Sequence, residues 1–294
     1  MLIGEKFHLS RIVIIESLES HEPKTGEYIA GLIDASDNAR LLGLTVEYIT
    51  CEHVHAFTQC ISALTIDVCT TGRIPLLHVD CHGHETDGLE FANGSMLSWA
   101  DLSNLLVNLN RATRFNLVAV FSACYGGHFL SQLDSIEPAP CCAMIAPTHV
   151  VNPSEIYACF GTFYKTLFEG RDAGLAVDAI VRMNLEEGKW FAQLAELWYE
   201  RVVVEYIEKH CTNAEIKIRA LGMLHRLISE GHSADISQLK RGLIQANRTA
   251  LLGKFFECYF MTNTIPENTY RFRAVRSRIV NHLSQLQKTG KYGI

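Results

Sequence analysis

The chain has 294 residues, 48% of them apolar and 20% charged, and a formal net charge of −6. That length can bury a sizeable core, and the ordinary composition excludes a disordered or fibrous protein. No run approaches the ~20 apolar residues of a membrane span. Residues 11–18 (RIVIIESL) are short, β-branched and bounded by polar residues, which predicts a buried strand. A polar turn over 22–26 contains Pro23 and Gly26. Residues 27–42 put Tyr28, Ile29, Leu32 and Ile33 on one side and meet Gly43, which predicts a helix and its stop. A second strand is predicted over 45–50. The helix after it carries Val54, Phe57, Ile61, Leu64 and Val68 at three- and four-residue steps. A third strand is predicted over 74–80.

Apolar pieces around Asn93-Gly94 predict a small hairpin. Ser98-Trp99-Ala100-Asp101 resembles a capping box ahead of a helix with Leu102, Leu105, Leu106 and Leu109. A strand follows over 117–121 and another over 143–146. Asn152-Pro153-Ser154-Glu155 then opens a helix whose core face is Ile156, Phe160, Phe163, Tyr164 and Leu167. Alternating strands and helices predict an α/β domain with a mostly parallel sheet covered by helices. From about Gly188 the strand signal disappears. Trp190, Leu194, Leu197, Trp198, Val202 and Tyr206 read as one helical face, Leu239, Leu243, Phe255, Phe256 and Tyr259 as another, and Phe272, Val275, Ile279 and Leu286 as a third. The expected division is 1–189 for the sheet domain and 190–294 for an all-helical region packed on it. The first 190 residues carry 23 acidic and 11 basic residues, and the remainder 9 and 15. Such a reversal marks regions with different partners or regions that dock on each other.

Two strand ends carry the chemistry. The run 74–79 stops at Asp80-Cys81-His82-Gly83. The run 117–121 stops at Ser122-Ala123-Cys124 and opens into Gly126-Gly127, placing Cys124 42 residues after His82. Open α/β sheets bind ligands at the carboxyl ends of their strands. A thiol and an imidazole delivered there are the parts of a cysteine nucleophile and its acid/base partner. A lone cysteine is more often a buried structural thiol, and that reading suits Cys81 and the vicinal Cys141-Cys142. His84, in the same loop as His82, competes for the base role. The ten cysteines, without a secretory pattern at the amino terminus, are expected to be reduced in a soluble cytoplasmic protein.

Strand–His-Gly followed by strand–Ala-Cys-x-Gly resembles the caspase-like cysteine proteases of clan CD, with Ser122 in place of the caspase Gln. The closer resemblance is to the bacterial CHAT family: strand, His-Gly, Gly-turn hairpin, capped helix, Ser-Ala-Cys strand end, then Phe160-Gly161-Thr162-Phe163-Tyr164 and an Ala-rich helix. It covers roughly residues 10–185, and residues 190–294 resemble nothing we can name. The resemblance implies a caspase-like fold and peptide-bond hydrolysis through a thioester. Cys124 would be the nucleophile, His82 the general acid/base, and the backbone N–H groups of Gly83 and Cys124 the oxyanion hole. It implies a dyad with no third residue, no cofactor, a protein substrate, and a stress or phage-defence setting.

Other readings compete. His78, Asp80, His82 and His84 alternate, so an extended backbone would put four donors on one face and suit a metal-dependent hydrolase. A caspase-like scaffold without activity is a third reading. Arg271, Arg273, Arg276, Arg278, Lys288 and Lys291 form a basic carboxyl-terminal stretch that could meet nucleic acid, but they interleave with Tyr270, Phe272, Val275 and Ile279. A solvated or domain-docking face is the expected role. The helical region is expected to hold the enzyme inactive or to receive an activating protein or ligand, with no membrane contact.

Overall fold

Strand β1 (Arg11–Ser17) lies inside the sheet, with every residue in it buried. A segment buried on both faces must spend all its backbone groups on neighbouring strands. It pairs in parallel with β2 (Thr45–Thr50) on one side and with β3 (Pro75–His84) on the other. Strand β3 pairs in parallel with β6 (Val118–Ser122), which pairs in parallel with β7 (Ala143–Pro147). The sheet closes on β8 (Trp190–Leu194), antiparallel to β7, and its order is β8-β7-β6-β3-β1-β2. This computed structural model describes residues 2–3, 7–132, 136–183 and 190–294. They fall into two compact units, one of the residues up to 132 and Ala139–Ala195, the other of 136–138 and Glu196–Ile294.

The first unit is the predicted α/β domain, a mostly parallel sheet flanked by helices. Helix α1 (Thr25–Asp34) packs with α4 (Pro153–Gly170), and α4 with α5 (Ala173–Val181). Helix α2 (Val54–Thr71) packs with α3 (Trp99–Ala112). The predicted apolar faces are the buried ones: Phe57, Ile61, Leu64 and Val68 on α2, and Ile156, Phe160, Phe163, Tyr164 and Leu167 on α4. Each such side chain contributes about 1.5–3 kcal/mol by leaving water. Ser98 caps α3 by accepting from the Asp101 N–H, and Asn152 and Glu155 form a full capping box on α4. The hairpin around Asn93-Gly94 is β4 (Gly88–Glu90) with β5 (Met96–Leu97).

Three expectations differ from the structure. Residues 27–42 are not one helix: α1 ends at Asp34, and a short helix, Asp37–Leu41, restarts where the Ser36 hydroxyl accepts from the Ala39 N–H. Strand β3 does not stop at Asp80. It runs on to His84, its last residues leaving the main sheet to pair with β4. Trp190 and Leu194 are not on a helix; they sit on β8, so the sheet unit continues past the boundary expected at 189/190.

The second unit is helical: α6 (Ala195–His210), α7 (Asn213–Ser229), α8 (Ile236–Thr249), α9 (Phe255–Tyr259) and α10 (Arg273–Lys288), with a π turn over Ala250–Lys254. Its core is an aromatic cluster. Tyr199 lies 5.1 Å from Tyr259 and from Phe260, and Phe260 stacks on Phe272 at 4.4 Å. Three arginines of the basic stretch are engaged within this unit. Arg278 pairs with Glu196 and Glu200, Arg273 lies 3.7 Å over the Tyr270 ring, and Arg276 donates to the Leu252 carbonyl at 3.2 Å. Among the described residues no helix is long and apolar enough to cross a membrane.

Candidate active site

The register of two strands brings the predicted pair to one place. In the parallel pairing of β3 with β6, Asp80 stands opposite Ser122. His82 and Cys124 each lie two residues further on, so equal advance along adjacent strands carries both to the same rim of the sheet. Gly83 locks the two ends together: a Cβ there would sit 2.1 Å from the Cys124 carbonyl oxygen. Only glycine permits that approach. The backbone it makes room for is that of Cys124. Tyr125 takes the left-handed conformation after the cysteine, φ 58°, uncommon for a side chain of its size. Its N–H donates to the His149 carbonyl at 3.1 Å, and the Gly126 N–H to the Ala123 carbonyl at 3.0 Å, which holds the turn. Gly126 and Gly127 keep φ outside that region and serve packing: a Cβ on Gly127 would meet the Phe191 ring at 2.6 Å.

Cys124 and His82 line one cavity of about 160 Å³, together with Glu22, Asp80, Ser122 and Val151. Cys124 is half-buried. The Val151 N–H donates to its sulfur at 3.5 Å, and its thiol faces the Val151 carbonyl at 3.8 Å. Val151 immediately precedes the α4 capping box, so the contact is made by a segment whose start is fixed. His82 sits with Nε2 2.8 Å from Oε1 of Glu22. Glu22 comes from the polar turn between β1 and α1. Its Pro23-Lys24 context gives no signal of function; only the β1–β3 register, with Ser17 opposite Cys81, sets that turn beside His82.

Behind the cavity lie polar groups buried in the sheet. Asp80 accepts from the Thr25 hydroxyl, and burial, opposed by that bond, pushes its carboxyl up to about 7. Glu16, opposite Asp80 in β1, accepts from the Gly26 N–H at 2.8 Å and the Tyr48 hydroxyl at 2.8 Å. The amino-terminal end of α1 thus faces a buried carboxylate, which suits the positive end of its dipole. His78 lies 2.9 Å from the Tyr164 hydroxyl through Nδ1 and 2.6 Å from the Ser122 hydroxyl through Nε2. Burial pushes its imidazole down to about 3, so it is neutral at ordinary pH. Burial also pushes the Cys81 thiol well up, consistent with an inert core cysteine.

The four alternating donors do not converge. His78 is taken by Tyr164 and Ser122, Asp80 by Thr25, His82 by Glu22, and His84 by Glu90 at 2.6 Å. Extended backbone gives the common face, but helices and turns on that side supply a different partner to each. Among the described residues no three His, Cys, Asp or Glu are grouped as metal ligands would be. His84, the competing base, is outside the cavity lining.

Fold and site together define a mostly parallel α/β domain with a thiol and an imidazole sharing a cavity at the carboxyl edge of its sheet. No family model matches the chain, and no curated protein matches its sequence. Among solved structures it is similar to the Drosophila initiator caspase Dronc, with a TM-score of 0.45 and 9% identity over 64% of this chain and 82% of that one.

Proposed function

We propose that the chain is a cysteine endopeptidase of the caspase-like, CHAT-like kind, with Cys124 as nucleophile and His82 as general acid/base. The observation that carries the reading is the shared cavity: a half-buried thiol and an imidazole on adjacent parallel strands, advanced equally past a register-paired position. His82 takes the thiol proton, and the sulfur attacks the scissile carbonyl carbon. The N–H groups of Gly83 and Cys124, on segments in mutual contact, hold the oxyanion. His82 then gives its proton to the leaving amine, and water hydrolyses the thioester. The contact of the Val151 N–H with the sulfur supports a side chain held in place in the resting site. The motif order shared with CHAT proteins supports a dedicated protein substrate and a bacterial cytoplasmic role in stress or phage defence.

The second unit, with no chemistry of its own that we recognise, is the regulatory part of this reading: it restrains the enzyme or receives the activating partner. A thiol-directed covalent probe tests the assignment, followed by profiling on a peptide library. Labelling should be lost in Cys124→Ala and strongly slowed in His82→Ala; equal labelling of all three proteins ends the protease reading. The regulatory part fails if the full-length chain cuts peptides as fast as a folded chain truncated before Glu196.

A further inference from the structure

We propose that Glu22 is a third member of the site, a positioning residue that holds the proton of His82 on Nε2 and leaves Nδ1 bare to meet the Cys124 thiol. The inference rests on the Cys124–His82 reading above and departs from its two-residue form. A carboxylate can only accept. With Oε1 of Glu22 2.8 Å from Nε2, that nitrogen carries the hydrogen, and the lone pair of the neutral ring falls on Nδ1. When the ring takes the thiol proton, both nitrogens become donors and the carboxylate already faces the new charge.

The carboxylate is held before the reaction begins. Its other oxygen, Oε2, accepts from the Glu19 N–H at 2.6 Å, and the Glu22 N–H donates to the Glu19 carbonyl at 3.0 Å. Lys24 ties down the same turn, its ammonium donating to the Leu18 and Glu19 carbonyls at 2.6 and 2.7 Å. Ser17 opposite Cys81 starts this turn level with His82. Other charged groups nearby are otherwise engaged. Glu90, opposite His82 in the hairpin, holds His84, and Asp80 holds the Thr25 hydroxyl. The His82 side chain is 44% exposed and that of Glu22 21%, so water screens the charge, and ring orientation and tautomer are the main contribution.

The test follows alkylation of Cys124 by iodoacetamide at pH 7 in the full-length chain, read by peptide mapping, which needs no known substrate. Relative to the parent, Glu22→Ala should slow the reaction about tenfold or more, the scale of one lost charge-assisted bond. Glu22→Gln, which keeps the size and loses an acceptor, should slow it less, and added formate should restore the rate in Glu22→Ala. Thermal melts establish that each variant is folded, and Glu22→Gln carries the test if Glu22→Ala is not. Slowing in His82→Ala together with an unchanged rate in both Glu22 variants overturns the Glu22 role and leaves the pair standing. Slowing in Glu22→Ala that formate does not restore also overturns it, since that is the mark of a turn merely loosened. A parent rate matched by His82→Ala overturns the underlying pair itself.

Discussion

Asp80→Asn should make the protein more stable at neutral pH and lose that advantage on acidification. The carboxyl is 1% exposed and titrates near 7 in the fold, against 3.8 for the ordinary group. The folded state therefore binds the proton more tightly than the unfolded chain. Between about pH 4 and 7 the native protein holds protons that the unfolded chain has released, so stability falls as pH rises. Once both states are ionised the cost is about 4 kcal/mol. Asparagine keeps an acceptor for the Thr25 hydroxyl and carries no charge. His78 acts in the opposite sense. It titrates near 3 in the fold against 6.5 ordinarily, so the unfolded chain takes up a proton first and stability falls as pH drops from about 6.5 toward 3. Over the shared window the two slopes oppose each other, one proton each. In the parent they largely cancel; in Asp80→Asn the histidine slope stands alone. Urea unfolding at pH 4.5, 5.5, 6.5 and 7.5 reads the difference directly. The variant should gain several kcal/mol at pH 7.5 and little at pH 4.5. A gain of the same size at every pH would refute the buried, proton-retaining carboxyl.

Gly83→Ala should cost about 1–3 kcal/mol, because its Cβ would lie 2.1 Å from the Cys124 carbonyl oxygen and the strand ends must separate. A lowered melting temperature with slowed probe labelling of Cys124 is expected, while Gly161→Ala, mid-helix with its Cβ's nearest atom at 3.8 Å, should leave labelling unchanged and the melting temperature equal or slightly higher. Tyr164→Phe removes the hydroxyl on His78 Nδ1 and strands a buried ring nitrogen, at a cost of about 1–3 kcal/mol in urea unfolding; no loss would mean that nitrogen has another partner.

What the sequence disclosed depended on whether a signal was local. The apolar runs ending at Asp80 and Ser122 mark both side chains of the candidate site, since a buried strand must stop where its polar residues reach the rim. The helix caps at Ser98 and Asn152 are legible for the same reason: the capping oxygen and the N–H that donates to it lie within one helical turn. Glu22 was not, because its meaning comes from the pairing of β1 with β3, a contact between residues 64 positions apart. β8 was missed through coincidence of period. Trp190 and Leu194 lie four apart and run on into apolar residues of α6 at helical steps, so a five-residue strand reads as part of the helix after it; the most buried residues of that helix are Tyr199, Val203 and Ile207, with Leu197 exposed. The alternation His78-x-Asp80-x-His82-x-His84 does lie on one strand, but the competing reading of it as one metal site fails, because the partners that divide those donors, Tyr164, Thr25, Glu22 and Glu90, come from four other segments.

The cost of the buried polar cluster bears on the site. Glu16, Asp80, His78 and Ser122 stand at the carboxyl end of the sheet, each 2% exposed or less, where apolar side chains would hold the strands together more cheaply. They make the rim rigid. The Asp80–Thr25 bond fixes the start of α1 against β3, and the Tyr164–His78–Ser122 chain fixes α4 against β3 and β6. Those two helices are reached through the segments that bring Glu22 to His82 and Val151 to Cys124. A cluster that sacrifices stability to hold two loops in place is what a reactive pair needs if its atoms are to be aligned before a substrate arrives. Replacing His78 and Tyr164 together by leucine and phenylalanine separates the two demands: the sheet should gain or keep stability while labelling of Cys124 slows, and a variant that stays equally reactive would show the cluster to be unconnected with the thiol.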